Sequence, residues 1–152
     1  LLRHTTQDGV VCEPERVVTE VVPGYGGFSF RAGGFFQNNS SILPLFIEHV
    51  VGVLTAALPD GEAPEVLVDA YCGVGLFAIS ASKHFKEVVG IELDKQAVRL
   101  AHSNAHRHGS GNCRFWAGDA SSTLLQSVGL RGSMAARTVV LVDPPRQGLD
   151  SR

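Results

Sequence analysis

From Glu65 to Asp143 the chain alternates short apolar runs with amphipathic ones, and this alternation restricts it to an α/β architecture. Glu65-Val66-Leu67-Val68-Asp69 reads as a buried strand, Leu76 to Phe85 as a helix, and Glu87 to Glu92 as a second strand. Asp94 is placed to cap a helix whose apolar side is Ala97, Val98, Ala101 and Ala105 and which ends near Gly109. Cys113 to Ala117 reads as a third strand, Thr123 to Val128 as a short helix, and Thr138 to Asp143 as a fourth strand, apolar almost throughout. Strands separated by helices at this spacing pair in parallel through right-handed crossovers.

Upstream the pattern differs. Residues 1–15 are polar and irregular, with Asp8-Gly9 as a turn signal. Residues 16–22 are rich in β-branched types and predict a strand; Pro23 to Gly27 is a turn, and Phe28-Ser29-Phe30-Arg31 is its hairpin partner. From Ser41 the apolar period becomes 3.6, with Leu43, Phe46, Ile47, Val50, Val51, Leu54 and Leu58 on one face. Ser41 is the predicted N-cap, Pro44 falls in the first turn, and Pro59-Asp60-Gly61 ends the helix. Two regions follow: 1–40, a leader and hairpin, and 41–152, the α/β part.

Apolar residues are 44% and charged residues 18%, a globular composition and not a disordered one. A formal net charge of -2 argues against a strongly basic nucleic-acid clamp and leaves RNA open as a substrate. Arg supplies 10 of the 13 cations, which suits phosphate contacts, although a GC-rich genome explains the same bias more simply. Cys12, Cys72 and Cys113 lack CxxC spacing, so neither a disulfide framework nor a zinc site is expected and an intracellular location is. No apolar run reaches about 18 residues, and no membrane span is expected. His102 and His106 stand at i, i+4, a metal-capable spacing, but a solvated helix face explains them better. The chain opens on Leu1 and stops in a polar stretch at Arg152, so it reads as an excised part of a longer protein.

Four motifs carry chemistry. The first is strand, Asp69-x-x-x-Gly73-x-Gly75, then helix: glycines permit a tight turn and close approach of a ligand to free helix N–H groups. A nicotinamide loop wants Gly-x-Gly-x-x-Gly, whereas here the third position is Ala78 and an acid precedes the glycines. A compact cationic nucleoside such as S-adenosylmethionine fits better; a plain strand–helix turn is the alternative. Second, Glu92 ends the next strand, where a carboxylate can accept from both ribose hydroxyls. Third, Asp119 follows the third strand and can either accept from an adenine amino group or cap the next helix. Fourth, Asp143-Pro144-Pro145-Arg146-Gln147-Gly148 lies at the carboxyl edge of the fourth strand, where two prolines hold the loop extended and Asp143 can face cofactor and acceptor.

Phe35-Phe36-Gln37-Asn38-Asn39, Tyr71-Cys72-Gly73-Val74-Gly75, Gly90-Ile91-Glu92, Asn104-Ala105 and Asp143-Pro144-Pro145-Arg146-x-Gly148 occur in this order over roughly residues 16–152. Together they resemble the RNA uracil-5-methyltransferase family, and Phe35 to Pro44 resembles its fungal tRNA members. The resemblance implies a Rossmann-like class I methyltransferase fold, with four of about seven strands encoded here. It implies S-adenosylmethionine contacts from Gln37, Tyr71, Glu92 and Asp143, with Gly73 and Gly75 forming the loop; Asp119 joins them on its position. It places Phe35, Asn39 and Asp143 near a target uracil in tRNA, with the T-loop as the expected site. Leu76 departs from the Asn of many members, and His108 replaces the usual Asn before Gly109.

In that family a cysteine thiolate adds to carbon 6 of uracil, carbon 5 takes the methyl group, and a glutamate removes the proton. Both groups are expected downstream of Arg152, so no catalytic residue is assigned here and residues 1–152 are expected to be inactive alone. A monomer is expected at full length, without metal. Competing readings are a class I methyltransferase for another RNA base or a small molecule, a non-catalytic RNA-binding scaffold, and a dehydrogenase.

Overall fold

The computed structural model describes residues 4–6, 9–37, 39–56, 63–120, 122–123 and 137–144. Four strands, β5 (Val66–Ala70), β6 (Glu87–Glu92), β7 (Cys113–Ala117) and β8 (Thr138–Val142), form a parallel sheet in the order β7-β6-β5-β8. β5 is central and buried at every residue, as a near-continuous apolar run in a two-sided sheet must be. Its register pairs Asp69 with Gly90 on one side and with Leu141 on the other. The chain moves outward from β5 through β6 to β7, then returns to the opposite edge of β5 with β8. That reversal opens a crevice at the carboxyl ends of β5 and β8.

Helix α2 (Leu76–Ala81) links β5 to β6, and α3 (Lys95–Arg107) links β6 to β7. The helix expected to run to Phe85 instead ends at Ala81 and tightens into a 3-10 turn over Ser82–His84. α3 begins as expected: the Asp94 carboxylate accepts from Gln96 N at 2.8 Å. Helix α1 (Leu43–Thr55) buries Leu43, Ile47 and Leu54. Its N-cap is Ile42, not Ser41; the Ser41 hydroxyl turns back to donate to Asn39 Oδ1 at 2.6 Å and so is not the cap. Leu58, Pro59-Asp60-Gly61 and all of the short helix expected beyond Thr123, Leu124 to Val128, lie outside the described residues.

Two antiparallel hairpins precede α1. β1 (His4–Thr6) and β2 (Gly9–Val11) pair in the leader that reads as irregular in sequence; Gly9 of the turn signal opens β2, and Asp8 lies outside the described residues. β3 (Val17–Val22) pairs with β4 (Gly26–Arg31) through Pro23-Gly24, with Gly24 at φ 81° and Tyr25 N bonded to Val22 O at 2.9 Å. β4 starts two residues before the expected Phe28, because Gly26 and Gly27 pair through backbone alone. One apolar cluster runs from Val22, Phe28 and Phe30 of this hairpin through Ile47 to Leu67, Phe77, Val88 and Phe115. A second covers the opposite sheet face with Val66, Val68, Ala70, Val89 and Ile91. No helix among the described residues is long and apolar enough to cross a membrane.

Candidate functional site

The loop after β5 turns on three left-handed residues in five: Tyr71 at φ 70°, Gly73 at 55° and Gly75 at 87°. Glycine accepts this conformation; tyrosine does so at a cost of order 1 kcal/mol, which surrounding contacts must hold in place. Three side chains from elsewhere do so. Asp69, only 2% exposed, accepts from Ala78 N at 3.1 Å and caps α2 in place of Gly75, which has no side chain to do it. Glu92 accepts from Gly73 N at 3.0 Å through one oxygen and from Asp94 N at 2.9 Å through the other. Each oxygen keeps a second lone pair for a ligand hydroxyl. Asn104 donates to Val74 O at 3.0 Å.

Gly90 lets this loop sit close to the sheet. A Cβ there would stand 2.8 Å from both Cys72 Sγ and Phe115 Cε1, closer than atoms can pack. The same closeness buries Cys72 and drives its thiol well above the ordinary range, with Asp69 and Glu92 reinforcing the effect of desolvation. Burial likewise pushes Cys113 to about 11. Burial raises Asp69 from 3.8 to about 7 against the opposing Ala78 N–H, and the charges of Asp143 and Glu92 push it further up.

A cleft of about 720 Å³ opens above the loop, within the range of small-molecule sites. Of the residues singled out from sequence, Phe35, Gln37, Tyr71, Gly73, Glu92, Asp119 and Asp143 line it together. Gly75 and Asn39 do not; a Cβ on Gly75 would press on Ile79 and Phe115, so its place is under the loop, and Asn39 is an exposed acceptor for Ser41. Asp119 caps the following turn, accepting from Ser122 N at 3.1 Å, and also lines the cleft, so its two expected roles are compatible in space. Period-two alternation explains the far wall. Phe35 and Gln37 face the cleft, whereas Phe36 is buried and stacks on Phe30 at 4.3 Å. Pro145 to Gly148 and Asn38 lie outside the described residues.

Among the described residues the lining holds Glu92, Asp94, Asp119 and Asp143 against Arg31, which is itself paired with Glu15 and Asp94. This surplus of negative charge suits a positively charged nucleoside and opposes a pyrophosphate. The Glu92 oxygens can take ribose hydroxyls, and the open left-handed turn at Gly73, with nothing within 4 Å of where a Cβ would be, leaves room for close approach. The residues present therefore fit such a group. Among the described residues no cluster of His, Cys, Asp or Glu could hold a metal ion.

The profile of the family described as tRNA (Uracil-5-)-methyltransferase matches residues 20–152. The chain belongs to the tRNA (uracil-5-)-methyltransferase family. It is 45% identical over 141 residues to the tRNA (uracil(54)-C(5))-methyltransferase of Saccharomyces cerevisiae, covering 92% of this chain and 21% of that protein. The Schizosaccharomyces pombe protein of the same description is 37% identical over 150 residues, covering 95% of this chain and 28% of its own. The chain thus spans less than a third of these curated relatives. In fold it is similar to the Pyrococcus abyssi tRNA (uracil-54, C5)-methyltransferase, solved in complex with S-adenosyl-L-homocysteine: TM-score 0.65, 24% identity, 94% of this chain and 31% of that one. The M. jannaschii tRNA m1G37 methyltransferase aligns with TM-score 0.57 at 17% identity, over 74% of this chain and 33% of its own. These likenesses show the Rossmann-like class I methyltransferase fold for the family member described here.

Three contributors to this family member's site carry no assigned role in sequence. Phe36, Gly90 and Asn104 stand there only as parts of motifs, yet each holds a cleft wall from behind. His108 is the C-cap of α3, and its ring also donates to Gly27 O at 2.9 Å and lies against Phe28. His102 and His106 are exposed, as expected, with His102 donating to Phe115 O.

Proposed function

We propose that this chain forms the cofactor half of an S-adenosylmethionine-dependent enzyme that methylates carbon 5 of a uridine in tRNA. The observation that carries the reading is the acidic cleft at the switch between β5 and β8, where Glu92, Asp119 and Asp143 meet the Gly73 turn. Membership of the uracil-5 family and the ligand of the P. abyssi relative support it. When bound, the cofactor supplies an electrophilic methyl on a sulfonium. Glu92 would take the ribose hydroxyls, Tyr71 and Gly73 the nucleoside, and Gln37 and Asp143 the amino-acid end. Phe35 is 76% exposed at the cleft mouth and is placed to meet a flat pyrimidine ring, with Asp143 in the same lining.

The chain's own cysteines do not suit the nucleophile's role. Attack on carbon 6 needs a thiolate, whereas Cys72 and Cys113 are pushed away from ionisation and Cys12, exposed before β3, is not among the residues that line the cleft. We therefore place the nucleophile and the base outside residues 1–152. Calorimetric titration with S-adenosylhomocysteine tests the cofactor reading; saturable binding is expected, and binding of NADH instead would overturn it. Release of tritium from tRNA carrying 5-tritiated uridine tests the reaction in the full-length protein. Turnover by residues 1–152 alone would sink the placement of the nucleophile.

A further inference from the structure

Asn104-Ala105 is a motif for which the chemistry of the cleft has no use. Asn104 lies on α3, is completely buried, and uses its whole carboxamide. Its Nδ2 donates to Ser29 O at 3.1 Å and to Val74 O at 3.0 Å; its Oδ1 accepts from Ser29 N at 2.9 Å and from the Arg107 guanidinium. Two donors meet two carbonyls and one oxygen meets two N–H groups, so the amide orientation is fixed and no polar capacity is left over. Ser29 stands opposite Thr19 of β3 in register, and both its backbone N–H and its carbonyl are taken by Asn104. Val74 lies between the left-handed Gly73 and Gly75. One side chain thus bridges partners 75 and 30 residues away in sequence.

The two partners belong to two separate segments that line the cleft. β4 leads directly into Phe35 and Gln37, with Phe36 stacked back on Phe30 of the same strand. The Tyr71–Val74 loop is the other segment, held from the cleft side by Glu92. Further along β4, Gly27 O is held by His108 and Arg31 by Asp94, so all three ties run between this strand and α3 or its caps; of the three, Asn104 is the one that also reaches the loop.

We propose that Asn104 is a positioning residue that locks the Gly73–Gly75 turn to the β3–β4 hairpin and so sets the spacing between the Phe35–Gln37 wall and the cofactor loop. The proposal rests on the cleft being the cofactor site. Asn104→Leu keeps the number of non-hydrogen side-chain atoms and the branch at Cγ and removes all four bonds. Asn104→Asp keeps the shape, loses both donors, and regains one when protonated.

Amide hydrogen exchange in the full-length protein reads the lock without any ligand. Ser29 N–H must lose protection in N104L because its acceptor is gone. Gly73 N–H is the informative probe, since its acceptor is Glu92 and not Asn104. It is expected to exchange roughly tenfold faster or more, while Val68 and Val89 in the sheet are unchanged. Loss confined to Ser29 would overturn the proposal. S-adenosylhomocysteine affinity is expected to fall roughly tenfold or more in both variants, and to recover in N104D alone as pH falls. Val22→Ala, a cavity in the hairpin core away from the loop, controls for plain destabilisation; an equal affinity loss there would also overturn the lock. If the unaltered protein fails to bind S-adenosylhomocysteine yet Gly73 responds as expected, the cofactor reading fails and the lock stands.

Discussion

Asp69→Asn isolates the electrostatic cost built into the loop. The Asp69 carboxyl is raised from 3.8 to about 7, chiefly by burial, while Ala78 N–H partly opposes the shift. The native state therefore holds its proton where the unfolded chain has lost it. Between about pH 4 and pH 7 the folded protein binds more protons than the unfolded one, so stability falls as pH rises through this window and levels off above it. A shift from 3.8 to about 7, at 1.36 kcal/mol per pH unit, corresponds to about 4 kcal/mol as the limiting loss. Asparagine has nothing to ionise, and its carbonyl oxygen can still accept from Ala78 N. The variant should match the parent near pH 3 and exceed it progressively, reaching a plateau above about pH 8. Urea denaturation followed by far-UV circular dichroism at half-unit intervals gives both curves, and their difference cancels every other titrating group. Parallel curves would refute the reasoning. A parent more stable than the variant at about pH 8 would show that α2 needs the ionised cap more than the core rejects it.

The same charges predict a difference between two ligands. A sulfonium in the cleft with Glu92 and Asp143 should lower the pKa of buried Asp69 behind them, so S-adenosylmethionine should release more protons on binding near pH 7 than uncharged-sulfur S-adenosylhomocysteine; calorimetry in buffers of unlike ionisation enthalpy counts them, and equal counts refute the idea. Gly90→Ala should destabilise the fold by about 1–3 kcal/mol through overpacking on Cys72 and Phe115, with Phe115→Leu recovering part; a melting temperature unchanged in G90A would refute the packing. With iodoacetamide at about pH 8, exposed Cys12 should be modified first and Cys72 and Cys113 only on unfolding, as peptide mapping by mass spectrometry would show.

Much of the fold was legible because periodicity reports burial. The parallel strands read out within a residue or so: β5, β6 and β8 are apolar runs that end beside an acid, and β7, which carries Arg114, is closed by Gly118. Capping was legible at Asp94, whose carboxylate has a free N–H two residues on, and misread at Ser41, where the chain is already helical at Ile42 (φ -92°, ψ -13°) and the hydroxyl has a nearer partner in Asn39. β1 and β2, at three residues each, are too short for alternation to register. The cleft's outer residues were legible as motifs. What holds them was not: Gly90 signals nothing until Phe115 and Cys72 are folded against it. Asn104 did leave a trace, as a polar residue beside Ala101 and Ala105 on the buried side of α3, where an amide has to find partners.

Asp69 and Glu92, the acids before and after the glycines, each serve the loop mechanically, one capping α2 and the other holding Gly73 N, and Asp143 ends the adjacent strand. Any carboxylates would serve those mechanical ends, but three that sense one another raise the proton affinity of the most buried. The arrangement by itself is therefore electrostatically unfavourable, and a cation relieves it. A pyrophosphate would worsen it, which is why the missing third glycine and the extra acids point the same way. On the proposed reading, the positive charge that relieves the repulsion disappears when the methyl leaves the sulfonium. The cleft that favours the charged cofactor then loses that part of its grip on the product, so the residues that shape the loop also bias exchange of spent ligand for fresh.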